Sequence, residues 1–472
     1  MIALTLAEIA AAVGGTLHTG GTDATSATIV DGAVTTDSRE IGPGDVFFAK
    51  RGEFDDGHRF GPAAADLGAA LLVVEHPLDV TVPQIVVADT VDALGALATE
   101  VVGRVRSLGA LRIVGVTGSN GKTTTKNLLR AVLERVGPTV AARASFNNEV
   151  GAPITMLELD DDTRFLVAEM GASAVGEIAR LVRMARPDVG IVLKVGLAHA
   201  GEFGGIEQTV RAKSEMVTDL LATDVAVLNA DDPRVVPMAG LTPARVAWFG
   251  LGPNADVRAT ELATHARGTD FTVTVPGGES ARVHFGVLGE HHVMNALAAI
   301  AASVELGVAL PAVVEALETV TLAERWRMQL MGGRDDITVI NDAYNASPDS
   351  MAAALKTLAQ VQAQAPGTRS IAVLGEMSEL GEFSGEEHDR IGLLAVRLGI
   401  SQLVVVGQGA RRLHISAINE GSWDGESAFV ETADEAYDLV VSLARPGDTV
   451  LVKSSNAAGL RHLGDRLGEW FA

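Results

Sequence analysis

The stretch Val114–Thr125, VGVTGSNGKTTT, constrains the fold of this chain more than any other. An apolar run, Leu111–Val116, enters a loop with two glycines, and the loop opens into the helical stretch Lys122–Val136. In this order the loop N–H groups and the helix N-terminus face an anion, and the first helical lysine reaches phosphate oxygens. Val116 stands where the usual phosphate loop has its first glycine. The stretch predicts a strand–loop–helix unit that binds a phosphate.

Apolar strands and helical segments alternate along most of the chain, which predicts an α/β protein with parallel sheets covered by helices. At 472 residues the chain is too long for a single hydrophobic core. The polar–apolar alternation between residues 250 and 288 instead predicts antiparallel strands. A new series of strands starts near Ile337, after Gly332-Gly333. We therefore predict three α/β domains, residues 1–108, 109–328 and 329–472.

The composition narrows the classes of ligand. The formal net charge of −23 argues against nucleic-acid binding through a broad basic face. An anionic ligand must then be held locally, by helix N-termini, a few cations or bound Mg²⁺. No apolar run reaches the roughly 18 residues that cross a bilayer, and the first arginine is Arg39, so a secretory signal is not expected. The absence of cysteine excludes disulfides and cysteine nucleophiles and fits a cytoplasmic protein.

Polar residues near the ends of predicted strands are candidate site residues, because open α/β sheets bind ligands there. Glu169 follows the strand 165–168, His199 follows the strand that ends at Val195, and Lys213 lies in the next helix. Taken alone, Glu169 fits a Mg²⁺ ligand and a solvated carboxylate equally well. A single histidine such as His199 is more often structural, and a single helical lysine such as Lys213 is more often a surface residue.

Eight motifs occur in an order that resembles the bacterial Mur ligases, and the resemblance spans essentially the whole chain. Two of them, NASPDS and GEMSELG in the third domain, are similar to the members that add D-alanyl-D-alanine. Near the N-terminus, TDSR at 36–39 and GEFDDGHRF at 52–60 match as well. The eight motifs are TGSNGKTTTK, AHAGEFG, AKSE, LNADDP, HHVMNALAA, WRM, NDAYNASPDS and LGEMSELG.

The resemblance implies a fold and an activity. The fold would comprise an N-terminal α/β domain for the UDP substrate, a central P-loop ATPase domain and a C-terminal Rossmann-like domain. The activity would be ATP-dependent ligation of D-Ala-D-Ala to the terminal carboxylate of UDP-MurNAc-tripeptide through an acyl phosphate, using two Mg²⁺ ions. We expect a cytoplasmic monomer of cell-wall synthesis with no nucleic-acid or membrane partner.

In the central domain, the resemblance assigns ATP and Mg²⁺ to the glycine loop and its surroundings. Lys122 would hold the β- and γ-phosphates, Thr123 would ligate the first Mg²⁺, and Glu169 would ligate Mg²⁺ too. His199 would lie at the second Mg²⁺, near a carbamylated Lys213. Lys122, Lys213 and His199 are the expected catalytic residues. The other loop residues expected to contact ATP are Gly118, Ser119, Asn120, Gly121 and Thr124.

Further roles are implied outside the loop. Asn295 would contact adenine, Arg327 would approach the phosphates from the domain junction, and Asp342 would bind the ribose with Tyr344 nearby. The residues expected to hold the UDP part of the substrate are Asp37, Ser38, Arg39 and His58. Those expected to line the dipeptide side are Asn345, Ser347, Glu376 and Glu379.

Two positions depart from the family pattern, and two alternatives to the function stay open. Lys194 stands where many members have Asn, and the run KSSN at 453–456 replaces an expected KGSR. The nearest alternative is a ligase that adds a single amino acid, as in the MurE type or the folylpolyglutamate synthases, although the MurE-like DNPR element is absent. From another class, the alternative is a nucleotide-binding module without catalysis. The joint retention of the expected catalytic and metal residues argues against it.

Overall fold

The structure is a computed structural model, and it describes residues 1–52, 55–143, 145–196, 205–265, 267–321, 324–420 and 423–472. The described residues form three main sheets, each packed against helices, which confirms the predicted α/β class. Within this part of the chain, every helix is too short or too polar to cross a membrane.

The N-terminal residues form a five-stranded sheet of order β2-β7-β6-β5-β4 and a small antiparallel pair, β1 and β3. Strands β4 to β7 run parallel, and β2 is an antiparallel edge. The first helix begins at a capping box in which Thr5 and Glu8 satisfy each other's backbone N–H groups. The bounds are β1 Leu4–Thr5, α1 Leu6–Ala12, β2 Thr16–His18, β3 Ile29–Val30, β4 Val34–Thr35, β5 Val46–Phe48, α2 Gly61–Asp66, β6 Leu71–Val74, β7 Gln84–Val86 and α3 Thr90–Ser107.

The central residues form a nine-stranded sheet of order β16-β15-β14-β13-β12-β11-β8-β10-β9. Strands β8 to β14 are parallel, and β14, β15 and β16 form the antiparallel meander predicted between 250 and 288. The bounds are β8 Arg112–Thr117, α4 Lys122–Leu133, β9 Thr139–Ala141, α5 Gly151–Met156, β10 Phe165–Glu169, α6 Glu177–Ala185, β11 Val189–Val192, α7 Ile206–Thr218, β12 Val225–Asn229, β13 Arg245–Gly250, β14 Val257–His265, β15 Gly268–Thr274, β16 Ser280–Phe285, α8 Glu290–Glu305 and α9 Leu310–Glu318.

The C-terminal residues form a six-stranded sheet of order β17-β18-β22-β19-β20-β21, parallel except for β17. Strands β17 and β21, at the two edges, were not predicted. The bounds are β17 Gln329–Gly332, β18 Thr338–Asn341, α10 Pro348–Gln364, β19 Ser370–Leu374, α11 Ser384–Arg397, β20 Gln402–Val406, α12 Arg411–Ile418, β21 Glu426–Val430, α13 Ala433–Leu443, β22 Thr449–Lys453 and α14 Arg461–Trp470.

The order of the strands positions the site. In the central sheet β8 lies between β10 and β11, so the loops that follow these three strands meet at one edge. In the third sheet β22 lies between β18 and β19. The domain boundaries at 108 and 328 stay predictions. In the described chain, one sheet gives way to the next between Val86 and Arg112, and again between Phe285 and Gln329.

Candidate active site

The loop between β8 and α4 has the backbone of an anion-binding turn. Gly118 and Gly121 have φ values of 151° and 89°, which side chains rarely adopt, so glycine is required at both positions. Gly121 is the N-cap of α4, and no side chain caps this helix end. Val116 is fully buried within β8. The loop therefore starts after the strand that contains Val116, which explains why no glycine is needed there.

Lys122, the first residue of α4, turns its amine back over the loop. Its Nζ donates a hydrogen bond to the carbonyl oxygen of Gly118 at 2.8 Å. Burial lowers the pKa of Lys122; the carboxylate of Glu169 opposes this shift, and the charge of Arg327 adds to it. A phosphate bound at the loop would stabilise the protonated amine.

Glu169, the last residue of β10, is fully buried beside the loop. Its Oε1 accepts hydrogen bonds from Thr123 Oγ1 at 3.2 Å and from Asn147 Nδ2 at 2.8 Å. Its Oε2 is buried and has no hydrogen-bond partner among the described residues. An uncompensated buried carboxylate oxygen is costly, and such an oxygen next to a hydroxyl is a donor set that suits Mg²⁺.

Thr123 and Glu169 are the described residues that fit a Mg²⁺ ion. No cluster of three or more histidine, aspartate and glutamate side chains with metal-binding geometry occurs in the described ranges. His199, expected at a second ion, lies outside the described residues.

A chain of hydroxyl groups links this buried acid to the third domain. The Oγ atoms of Ser145 and Thr123 are 3.2 Å apart, and Ser145 Oγ is 3.2 Å from Tyr344 Oη. The guanidinium of Arg327 lies 4.4 Å from the centre of the Tyr344 ring. Arg327 Nε is buried without a partner in the described chain. Arg327 and Tyr344, at the junction of the central and third domains, therefore lie beside the glycine loop.

Asp342, just after β18, forms a buried ion pair with Lys453 at the end of β22. Lys453 Nζ lies 2.6 Å from Asp342 Oδ2 and also donates to the carbonyl oxygen of Asn345 at 3.0 Å. The backbone N–H of Met328 donates to Asp342 Oδ1 at 3.0 Å. Both carboxylate oxygens are thus satisfied within the chain. The predicted contact between Asp342 and ribose stays a prediction.

Asn295, in the second turn of α8, lies against the loop. A Cβ added to Gly121 would come within 2.2 Å of Asn295 Oδ1, so the amide of Asn295 packs on the start of α4. The rings of His291 and His292 are 4.2 Å apart. Burial lowers the pKa of His291 to about 4 and that of His292 well below its usual range, so both rings are neutral at neutral pH.

These groups surround one cavity of about 700 Å³ between the central and third domains. The predicted site residues that line it are Ser119, Asn120, Gly121, Lys122, Thr123, Thr124, Glu169, Asn295, Arg327, Asp342, Tyr344 and Asn345. Sequence reasoning missed other lining residues, among them Ser145, Asn147, Lys356, Gln360 and Arg390. The run Ser145–Asn148 follows β9, so the strand-end argument used for Glu169 could have found Ser145 and Asn147.

Other predicted site residues do not line this cavity. Ser347 instead caps α10 and donates a hydrogen bond to Asn120 Oδ1 at 3.2 Å. Glu376 turns toward Gly409, where an added Cβ would meet its Oε2 at 2.3 Å, and Glu379 is an exposed residue with a φ of 64°. Lys213 is 3 % exposed within α7, and burial, with the charge of Lys122, lowers its pKa to about 7.

The N-terminal candidates lie at two short 3₁₀ turns of the N-terminal domain and do not line the cavity. Asp37 pairs with Arg39 at 2.5 Å, and these hydrogen bonds lower the pKa of Asp37 to about 2. Ser38 begins a short 3₁₀ turn that Asp37 caps. The His58 ring is buried, with Nδ1 2.6 Å from Asp56 Oδ1 and Nε2 accepting from the Glu75 N–H at 2.8 Å. Both nitrogens of His58 are therefore used locally, and the UDP-binding roles stay predictions.

Comparison with known proteins identifies the family. Three family models match: "Mur ligase family, catalytic domain" over residues 32–103, "Mur ligase middle domain" over 116–303, and "Mur ligase, glutamate ligase domain" over 326–456. The UDP-N-acetylmuramoyl-tripeptide–D-alanyl-D-alanine ligase of Mycobacterium tuberculosis is 42% identical, covering 99% of this chain and 98% of the relative. The chain belongs to the Mur ligase family.

Solved structures of Mur ligases agree with this assignment. A MurF crystal structure from Acinetobacter baumannii superposes with a TM-score of 0.88 at 32% identity, covering 99% of both chains. The MurF ligase of Thermotoga maritima in complex with ADP gives a TM-score of 0.81 at 26% identity, covering 94% of this chain and 99% of that one. The predictions of a three-domain Mur ligase fold and of a ligase of the MurF type are confirmed.

Proposed function

We propose that this Mur ligase joins D-alanyl-D-alanine to the terminal carboxylate of UDP-MurNAc-tripeptide and cleaves ATP to ADP and phosphate. The product would be the UDP-MurNAc-pentapeptide used in peptidoglycan synthesis, and so in cell shape and division. One observation supports the proposal most directly: the glycine loop, a buried carboxylate with one oxygen that no described residue contacts, and third-domain residues line one cavity. The substrates are those in the name of the Mycobacterium tuberculosis relative.

The central domain would bind ATP at its phosphates. The N–H groups of the loop and the N-terminus of α4 would face the phosphate oxygens, and Lys122 would release Gly118 to reach the terminal phosphate. Thr123 and Glu169 would hold Mg²⁺, which neutralises phosphate charge when it is bound. Arg327 would add a positive charge from the domain junction.

The reaction needs ATP because a carboxylate is a poor electrophile. A carboxylate oxygen of the tripeptide attacks the γ-phosphorus, the bond to the β-phosphate oxygen breaks, and ADP leaves. The free amine of D-Ala-D-Ala then attacks the carbonyl carbon of the acyl phosphate. Phosphate leaves with the electrons of the carbon–oxygen bond, and the nitrogen loses a proton. Lys122 stabilises the charge that develops on the phosphoryl group.

The position of the third domain would protect the acyl phosphate from water. Tyr344 and Ser347 contact residues of the phosphate-loop side, so this domain covers the cavity. Exclusion of water favours attack by the amine over hydrolysis. On the dipeptide side, Asn345 lines the cavity, whereas Glu376 and Glu379 lie outside its wall.

Lys213 would carry a carbamate in the active enzyme. A pKa of about 7 leaves much of the amine neutral at neutral pH, and the neutral amine is the form that attacks CO₂. The nitrogen forms a bond to the carbon of CO₂ and loses one proton, so the neutral amine becomes a carbamate anion. With His199, this anion would serve a second Mg²⁺ ion. A monomeric state and a cytoplasmic location complete the proposal.

ADP release measured with purified protein and UDP-linked tripeptide tests the function. We expect turnover with D-Ala-D-Ala and none with single amino acids. Turnover only with single amino acids would establish a MurE-like or folylpolyglutamate synthase-like acceptor instead. No turnover with any acceptor, in the presence of measurable ATP binding, would favour the nucleotide-binding module. Parallel assays with tripeptides ending in meso-diaminopimelate or L-lysine would identify the third residue.

A further inference from the structure

The N-terminus of α10, in the third domain, rests directly on the central domain. It contacts two loops there, one after β8 and one after β11, which flank the phosphate site. At the first loop, Ser347 Oγ donates to Asn120 Oδ1 at 3.2 Å. At the second, Asp349 forms an ion pair with Lys194, with Nζ and Oδ1 3.5 Å apart.

The second contact is a close fit as well as a charge pair. A Cβ added to Gly196 would lie 2.2 Å from Asp349 Oδ2. Any residue larger than glycine at position 196 would therefore displace the carboxylate. Gly196 is itself tied to the phosphate loop, because its N–H donates to Ser119 Oγ at 2.9 Å. Ser119 N in turn donates to the carbonyl oxygen of Lys194 at 2.7 Å. A shift of Asp349 is therefore a shift relative to the loop.

We propose that Lys194 is a positioning residue that holds the third domain closed over the phosphate loop through Asp349. The proposal rests on the proposed function, since closure is what brings Asp342 and Tyr344 to the ATP side of the cavity. The pair joins two domains, so it forms only when they are closed. The ion pair therefore stabilises the closed arrangement relative to the open one. We name this contact the Lys194–Asp349 latch.

The latch should have a modest effect that depends on salt. The two side chains are 48% and 34% exposed, and ion pairs of this exposure change equilibria by about two- to fivefold. Ionic strength screens such pairs, so the effect should fade as salt is raised. A residue that only supports the fold would not give a salt-dependent closure equilibrium.

The experiment measures closure and activity separately. The chain has no cysteine, so E279C and N419C on exposed sites of the central and third domains accept a fluorophore pair for energy transfer. Lys194→Met, Asp349→Asn and the charge swap Lys194→Asp with Asp349→Lys are compared in this background. Gly196→Ala tests the fit without changing charge. Arg183→Met is the matched control, because its 3.4 Å pair with Asp219 lies within the central domain.

We expect Lys194→Met and Asp349→Asn to lower the closed fraction and kcat/KM for ATP by two- to fivefold at low salt. The charge swap should restore part of both losses, Gly196→Ala should mimic them, and Arg183→Met should leave both unchanged. Unchanged energy transfer in both single variants, or a swap no better than Lys194→Met, would overturn the latch. If the parent protein ligates no acceptor, the proposed function fails while the energy-transfer measurement still decides the latch.

Discussion

Two buried carboxylates line the same cavity from different domains, and they are in opposite states. Asp342, from the third domain, has both oxygens satisfied by Lys453 and the N–H of Met328. Glu169, from the central domain, shares one oxygen between Thr123 and Asn147 and leaves the other without a described partner. Removing the partner of a satisfied buried acid destabilises the fold, whereas an unsatisfied acid leaves binding capacity for a ligand. From this difference we expect the main effect of Asp342 on stability and that of Glu169 on ligand binding.

The strongest test of this comparison is at Lys453, where we expect the largest loss of folding stability. Lys453→Met leaves Asp342 buried without its cation, which should cost about 3–5 kcal/mol of stability. Urea unfolding followed by tryptophan fluorescence measures the loss, since Trp423 and Trp470 lie in the third domain and Trp326 donates a hydrogen bond to Asp465 of that domain. The matched control is Lys453→Met combined with Asp342→Asn, which should recover much of it. A single variant as stable as the parent would show that the pair is not structural.

At Glu169 we expect the opposite pattern, with activity lost and stability kept. Glu169→Gln should lower kcat about 100-fold or more and weaken the response to Mg²⁺, because a ligand oxygen is lost. Its unfolding midpoint should stay the same or rise, since an unsatisfied buried charge is removed. Steady-state kinetics across Mg²⁺ concentrations, with urea unfolding, measure both. A variant that loses stability and keeps its rate would place Glu169 in the same class as Asp342.

A third, smaller effect extends the comparison to a buried cation. With a pKa of about 7, the neutral fraction of Lys213 should rise from roughly one-tenth at pH 6 to nine-tenths at pH 8. The ¹³C NMR signal of a carbamate formed from ¹³C-bicarbonate should therefore grow with pH over this window and be absent in Lys213→Met. A signal that is equal at pH 6 and pH 8, or that persists in Lys213→Met, would contradict the assignment.

The smallest effect compares two helix caps. Ser347→Ala and Thr432→Ala each remove an N-cap of a third-domain helix, at a cost of about 1 kcal/mol. Only Ser347 also contacts Asn120 of the phosphate loop, so only Ser347→Ala should raise KM for ATP. Equal KM values in the two variants would mean that the contact between α10 and the loop has no part in binding.

The elements with strong local patterns could be predicted from the sequence. The strand–loop–helix unit at Lys122 and the meander between 250 and 288 occur as expected, because apolar periodicity and glycine placement are local properties. Strands β17 and β21 could not be found in this way. Both are short edge strands that are only partly buried, so their apolar signal is weak.

The candidate site was predicted unevenly for a related reason. The strand-end rule identified Glu169 and the family resemblance indicated Asp342, and both line the cavity. The resemblance also indicated Glu376, which follows a strand too but turns its carboxylate to Gly409. The rule gives the edge of the sheet at which a residue lies and says nothing about the direction of its side chain. That direction depends on neighbours distant in the chain.

The sequence by itself determined the family, most of the order of strands and helices, and the strand–loop–helix unit that is predicted to bind phosphate, because each depends on residues that are neighbours in the chain. The tertiary structure alone decided which buried acid is paired. Lys453 reaches Asp342 across 111 positions, and Tyr344 reaches Ser145 across 199. The first pair forms when β18 and β22 join in one sheet, and the second forms only when two domains meet. Local periodicity carries no record of them, since it reports which face of an element is buried and not what covers it.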